Sequence, residues 1–402
     1  MLNGWKNYLL GDVLTLQRGF DLPERDRQEG CIPIVSSSGI SGYHNVAKVH
    51  GPGIVTGRYG TLGEVFYINR DFWPLNTTLY VRDFKGNDSL FLSYFLRTLN
   101  LAHQNAAGAV PGLNRNALHL LPVCIPPLSS QRKIAAILSA YDDLIENNTR
   151  RIAILEEIVQ ALYREWFVHF RFPGHEKNRM VESELGMIPE GWEVVKLGDV
   201  CNITMGQSPS SQFYNTSREG IPFHQGVADF GTRFPIDRVY CTIEGKIAYT
   251  RDILFSVRAP VGRMNIANKK IVIGRGLSAI RSKTENQIFV FQQLKERFQE
   301  EDTIGNGAIF KAVTRGELSE IKIVQPPRSA ISLFEEYLSP MFWDIEVLIK
   351  KNTNLRQTRD LLLPKLISGE LDVENLDIEV GETLNTEGEG MAGLACRAYS
   401  GR

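Results

Sequence analysis

QRKIAAILSAYDDLIENNTRRIAILEEIVQALYREWFVHF, from Gln131 to Phe170, has the period of a helix and contains no glycine or proline. Tyr141, Ile145, Asn148, Ile152, Leu155, Val159, Leu162 and Trp166 recur at alternating spacings of four and three, which is the a/d seam of a coiled coil. At ~1.5 Å per residue such a helix is about 60 Å long, longer than a domain needs for its own core. The segment, bounded at 129–172, therefore reads as a spacer.

On either side of it the chain repeats itself. GWKNYLLGDV from Gly4 to Val13 returns as GWEVVKLGDV from Gly191 to Val200. The register continues through Gly19 and Gly206, Ile32-Pro33 and Ile221-Pro222, Gly63 and Gly262, Gly108 and Gly307, Arg115 and Arg315, and Pro126-Pro127 and Pro326-Pro327. Landmarks kept in one order, with small insertions, mean duplication. The period is too long for a solenoid, so each copy is expected to be a domain: 1–128 and 191–327. Short β-branched and aromatic runs alternating with Gly, Pro, Asn and Ser clusters predict strands, with one helix late in each copy, Ser89–Leu99 and Asn286–Gln299. The expected class is α/β: two repeated strand-rich domains separated by two long helices forming an antiparallel coiled coil.

The second helix follows the second double proline, over 328–371. Ser332 and Glu335 have capping-box spacing there, as Ser129 or Ser130 could cap the first helix. Ile345, Asn352, Leu355, Leu362 and Leu366 form its stripe, which Pro364 is expected to break. Asn148 and Asn352 interrupt two otherwise apolar stripes. A buried asparagine costs stability and can fix register, whereas at a helix edge it would only be solvated. Residues 173–190 read as a polar linker and 372–402 as an acidic, disordered tail.

The chain has 402 residues, 43% of them hydrophobic and 23% charged, as in ordinary globular proteins of two to three domains. No apolar run approaches membrane-span length and none follows a basic start, so a cytoplasmic location without membrane partners is expected. Five scattered cysteines, without CxxC, read as buried small hydrophobes. The net charge of -1 hides an asymmetry, because Glu370 to Glu389 is acidic with no basic residue and the remainder is mildly basic.

Catalytic machinery is hard to find. There is no GxxxxGK[ST], the glycines from Gly57 to Gly63 do not have GxGxxG spacing, and there is no Asn/Asp-Pro-Pro-aromatic motif, no HExxH and no GxSxG. Asp237 with Glu244-Gly245-Lys246 superficially matches the acid, acid-x-lysine pattern of metal-dependent nucleases, although the first copy carries no such triplet. A DNA-binding nuclease centred there is the alternative to a non-catalytic binder, and a purely structural scaffold is a third reading. No metal site is expected otherwise.

Binding chemistry on loops remains. Arg58, Arg70 and Arg115 in the first copy, and Arg251, Arg258, Arg263, Arg275, Lys311 and Arg315 in the second, lie among glycines and short polar residues. Arginine offers a fork for guanine edges or phosphate; Gln17, Asn76, Asn114, Gln207 and Gln225 could read adenine. Arg115 and Arg315, being a matched pair, are the strongest candidates.

Two divergent copies, each opening GW…LGDV and closing in PP before a long helix, resemble the specificity subunit of a type I restriction-modification enzyme over about residues 1–380. FRFPGHEKNRMVESELGMIPEGWEVVKLGDV across the linker and LLPKLISGEL from Leu362 to Leu371 add to the likeness. The resemblance implies two target recognition domains, each reading half of a split double-stranded DNA sequence, held apart by an antiparallel coiled coil. It implies two methyltransferase subunits docked on the chain, joined by translocating restriction subunits. S-adenosylmethionine, ATP and magnesium would then serve those partners, with no cofactor in this chain.

Overall fold

The computed structural model describes residues 4–103, 112–303 and 312–378. The chain divides into two units, Met1–Thr149 with Lys350–Arg402, and Arg150–Ile349.

In the first unit the repeated opening motif forms β1 (Lys6–Leu9) and a helical turn α1 (Leu10–Val13). There follow β2 (Thr15–Arg18), β3 (Ile32–Ser36), β4 (Gly39–His44), β5 (Gly53–Gly57), β6 (Val65–Ile68), β7 (Trp73–Pro74), β8 (Thr78–Asp83), α2 (Ser89–Thr98), α3 (Arg115–His119), β9 (Pro122–Ile125) and the long α4 (Leu128–Tyr163). An antiparallel sheet runs β2-β8-β5-β6, and a second sheet runs β4-β3-β7 with β3 and β7 parallel. The opening motif recurs because it closes the domain: β1 pairs with β9, Lys6 opposite Ile125, so that the chain enters and leaves side by side. Leu10, Leu14, Phe91, Leu92, Tyr94, Leu118 and Leu138 are buried in one core between sheet, α2 and α4.

The second unit repeats the plan. It contains β10 (Met180–Ser183), β11 (Gly186–Pro189), β12 (Glu193–Lys196), α5 (Leu197–Val200), β13 (Cys201–Met205), β14 (Tyr214–Asn215), β15 (Ile221–His224), β16 (Tyr240–Cys241), β17 (Ile247–Ala248), β18 (Ile253–Ser256), β19 (Met264–Ile266), β20 (Ile271–Ile273), β21 (Leu277–Ser282), α6 (Gln287–Thr303), α7 (Arg315–Ser319), β22 (Lys322–Gln325) and the start of α8 (Arg328–Ser368). The sheets run β13-β21-β18-β19 and β14-β16-β15-β20-β17, and β12 pairs with β22 as β1 does with β9. The class is mixed α/β.

Each unit contains one stretch of α4 and one of α8, and these run antiparallel. In the first unit Asn148 pairs with Asn352 and Asp142 with Arg359; in the second, Ile152 packs with Ile345 and Leu348. Of the seam residues, Ile145, Asn148, Ile152, Val159, Ile345, Asn352 and Leu366 are buried, and Leu155, Leu162, Leu355 and Leu362 are half-buried. Asn148 Nδ2 donates to Asn352 Oδ1 at 2.9 Å, and Asn352 Nδ2 donates to Thr149 Oγ1 at 3.1 Å and to the Ile145 carbonyl at 3.3 Å. Both amides are thus largely satisfied away from solvent. Arg359 is half-buried and forms an ion pair with Asp142.

Several expectations are corrected. Ser129, Ser130 and Ser332 cap nothing, because both helices start directly behind the double prolines, with Gln131 N and Ile331 N donating to the carbonyls of Pro127 and Pro327. Glu335 instead reaches α6, where Oε1 accepts the Phe289 N–H at 2.8 Å. Pro364 does not break α8, which continues to Ser368. An interior proline costs about 3 kcal/mol, but Leu366 and Ile367 are buried just beyond it, and burying two such side chains returns about 3–6 kcal/mol. The linker of 173–190 is no plain loop: β10 and β11 form a hairpin, and Phe172 and Ile188 are buried in the second unit's core. The tail begins later than 372, since Val373 is buried and Lys133 Nζ donates to the carbonyls of Glu374 and Leu376, both at 2.8 Å. The expectation of disorder, like Cys396, falls on 379–402, outside the described residues. Cys201 and Cys241 are buried, but Cys31 and Cys124 are exposed.

Candidate nucleic-acid interface

Within each unit the same set of strand ends and loops is tied together by the same peptide groups. Gly19 N donates to Thr78 O (3.1 Å) as Gly206 N does to Leu277 O (2.9 Å). Phe20 N donates to Pro74 O (2.8 Å) as Gln207 N does to Ile273 O (3.0 Å). Leu75 N donates to Val35 O as Gly274 N does to His224 O, all at 2.8 Å. Arg58 N donates to Thr77 O (2.9 Å) as Val257 N does to Gly276 O (3.0 Å). Leu113 N donates to Arg58 O (3.0 Å) as Val313 N does to Val257 O (2.8 Å). The glycines are required here: a Cβ on Gly19 or Gly206 would lie 2.1 Å from the carbonyl oxygen of Leu75 or Gly274.

This frame puts most of the candidate side chains on one loop cluster per unit. In the first, Gln17, Arg58, Asn114 and Arg115 line an open concavity of about 820 Å³ with Arg18, Tyr59 and Asn116. Asn76 belongs to the same loops, its Nδ2 donating to Asp21 Oδ1 at the rim. Arg70 lies elsewhere, its guanidinium 5.9 Å from the Tyr43 ring. In the second unit Gln207, Gln225, Arg258, Arg275 and Arg315 are exposed on the matching loops. Arg251 and Arg263 are not with them. The former lines a cavity of about 780 Å³ against α8, and the latter a smaller one of about 190 Å³ against α4. Lys311 lies outside the described residues, as do Gly108 and Gly307.

Local structure fixes how these side chains are presented. Asn114 is the N-cap of α3, its Oδ1 accepting Asn116 N at 2.9 Å, which fixes the side chain's direction and leaves its NH₂ unengaged by the cap. Thr314 caps α7 in a box with Glu317. Arg115 and Arg315 thereby occupy the first positions of two matching five-residue helices. Behind Arg115, burial and then the Arg115 charge hold the His119 imidazole below its ordinary value, consistent with Nε2 accepting Leu16 N at 2.9 Å. Arg58 stacks 4.6 Å over Tyr59, which is packed against Gly112. Sequence reasoning passed over Tyr59; its signal was an arginine–tyrosine neighbour pair inside a glycine-rich loop, a combination suited to backbone contact and base stacking.

The alternative nuclease centre does not form a shared carboxylate site. Asp237 Oδ1 faces His224 Nε2 at 3.0 Å and Oδ2 faces Lys269 Nζ at 2.7 Å, while Glu244 is paired with Lys270. Burial raises the Asp237 carboxyl, but the hydrogen bonds from His224 and Lys269 outweigh it and hold the group below the carboxylate range. Lys246 is exposed, and among the described residues no three His, Cys, Asp or Glu side chains are placed to hold a metal. Nor, among them, is any helix long and apolar enough to cross a membrane.

Two copies of one frame with different side chains on the same loops define a duplicated module. The model of the type I restriction modification DNA specificity domain matches the chain twice, at residues 3–157 and 189–331. The chain belongs to the family of type I restriction-modification specificity subunits. It is 36% identical over 293 residues to a putative type I restriction enzyme specificity subunit, MjaX, of Methanocaldococcus jannaschii, covering 71% of this chain and 68% of that one. To the MjaIX specificity subunit of the same organism it is 28% identical over 323 residues, 75% and 74% of the two chains. The crystal structure of the type I restriction-modification system S subunit from M. genitalium has the same fold, with a TM-score of 0.62 at 16% identity over 91% of this chain and 97% of that one.

Proposed function

We propose that this chain is the non-catalytic subunit that gives a type I restriction-modification complex its DNA sequence specificity, and that it reads an asymmetric site in two halves. The observation that carries this reading is the matched hydrogen-bond frame with unmatched side chains. By that frame Arg58 stands where the second unit has Val257, Tyr59 where it has Arg258, Asn76 where it has Arg275, and Phe20 where it has Gln207. One scaffold presenting two different sets of donors and acceptors fits two different half-sites. Arg115 and Arg315 would contact each half in the same way.

The helical pair would set the gap between the halves and offer a docking surface for two methyltransferase subunits, to which restriction subunits bind. Adenine methylation with S-adenosylmethionine, and ATP- and magnesium-dependent cleavage, would belong to those partners in the cytoplasm. Mapping methylation in cells that carry this chain with its methyltransferase tests the proposal. Two conserved blocks of sequence at a fixed gap are expected, with Arg115→Ala relaxing one block and Arg315→Ala the other. A single continuous block, no sequence preference, or binding untouched by both substitutions would overturn it.

A further inference from the structure

Gln225, on the second reading cluster, opens directly into a folded loop, residues 226–238, that reaches the helical pair. At its base His224 is fully buried, with Nε2 3.0 Å from Asp237 Oδ1 and Nδ1 3.7 Å from Asp229 Oδ2. The loop closes on itself through Gly231 N to Phe234 O and Ile236 N to Asp229 O. It is clasped to β19 by Asn265 Nδ2 donating to Gly231 O at 2.9 Å and Ile266 N donating to Arg233 O at 2.8 Å.

From its tip Arg233, 5% exposed, enters the helices. Its Nη1 donates to Glu156 Oε1 on α4 at 3.2 Å, and its guanidinium lies 4.0 Å over the ring of Phe342 on α8 and 5.8 Å from Phe291 on α6. Its Nη2 has no hydrogen-bond partner among the described residues. For stability alone this is a poor choice, since an apolar side chain would fill the place without desolvating a charge. What a guanidinium adds is direction, because a carboxylate at one edge and a ring under its face together favour one angle of approach. In the first unit the position that matches Phe342, at the same distance from the double proline, is Asp142, which offers no ring: Tyr94 donates to it at 2.5 Å and Arg359 pairs with it.

We propose that Arg233 is a positioning residue, which fixes the angle of the second reading cluster on the helical pair and thereby the gap at which the second half-site is accepted. This rests on the two-half-site reading above. The consequence is specific: loss of Arg233 should loosen the spacing of the site without changing the sequence of either half.

The test uses the full chain with its methyltransferase subunits, selected against a randomised double-stranded DNA library and then titrated with duplexes carrying the native gap or a gap one base pair longer or shorter. Arg233→Met keeps most of the volume and removes the charge. It is expected to recover both half-site sequences while its preference for the native gap over the altered ones falls about tenfold. Thermal melting establishes that the variant is folded; if it is not, Glu156→Gln, which keeps the shape and weakens the ion pair, is read in its place, with the same direction expected. Half-sites recovered with an unchanged gap preference in the folded variant would overturn the proposal. A wild-type site with no gap would overturn the two-half-site reading, and this inference with it.

Discussion

Replacing Asn352 by leucine should damage the helical pair, and replacing Asn148 at the same time should repair it. The single change leaves Asn148 Nδ2 without the acceptor it now has at 2.9 Å, at a position 8% exposed. An orphaned buried donor costs about 1–3 kcal/mol. Asn148→Leu likewise strips Asn352 Oδ1, at a position 3% exposed, of its donor. With both replaced no side-chain polar group is orphaned, since Thr149 Oγ1 still donates to Ile145 O at 2.7 Å, and the two leucines meet each other rather than an amide, which gives the double change an apolar contact worth about 1.5–3 kcal/mol that neither single has. Urea unfolding of the full chain, read with amide exchange over 141–149, should show both singles destabilised, the double as stable as wild type or more so, and a coupling of about 2 kcal/mol or more. Additive losses, or singles without effect, would refute the view that the amides hold each other.

Glu335 gives a pH dependence. Burial first, against the hydrogen bonds from Phe289 and Ile288 and the Arg251 charge, raises its pKa to about 7. Protonation therefore favours the folded state, so this contribution is complete below about pH 4.5 and is lost as the pH rises through about 7, by up to ~3 kcal/mol. Melting of Glu335→Gln should be flatter over that range and higher than wild type at pH 8 by an equivalent of about 1–3 kcal/mol; an unchanged slope would count against it. Gly19→Ala and Gly206→Ala should each force apart one loop cluster, because the new Cβ meets a carbonyl at 2.1 Å. Each is expected to weaken binding through one half-site about tenfold and leave the other half's preference unchanged, measured with targets mutated in one half at a time.

The duplication and the seam were legible because they are patterns of residue type. Closure of each domain by β1 with β9 and β12 with β22 explains why the opening and closing motifs repeat at all. What was not legible depended on contacts distant in sequence. Ser332 and Glu335 have capping spacing, yet the carboxylate is taken by α6. Pro364 has the signature of a helix stop, yet Leu366 and Ile367 hold the next turn in the core. The hairpin of β10 and β11 hides in a polar stretch because Ile188 is one of few residues it buries.

The candidate site divides along the same line. Arginines on glycine-rich loops marked the right region, but residue type could not separate Arg258 and Arg275, on the loop cluster, from Arg251 and Arg263, which line cavities against the helices. Nor could sequence alignment alone say that Asn76 stands where Arg275 does. That equivalence lives in peptide groups, whose hydrogen bonds do not depend on the side chain attached. A frame held by main chain lets every outward side chain change without loss of the loop, so the two readers can diverge in what they recognise while remaining one fold. The same logic predicts where divergence stops: at Gly19 and Gly206, where a side chain of any kind would strike the frame itself.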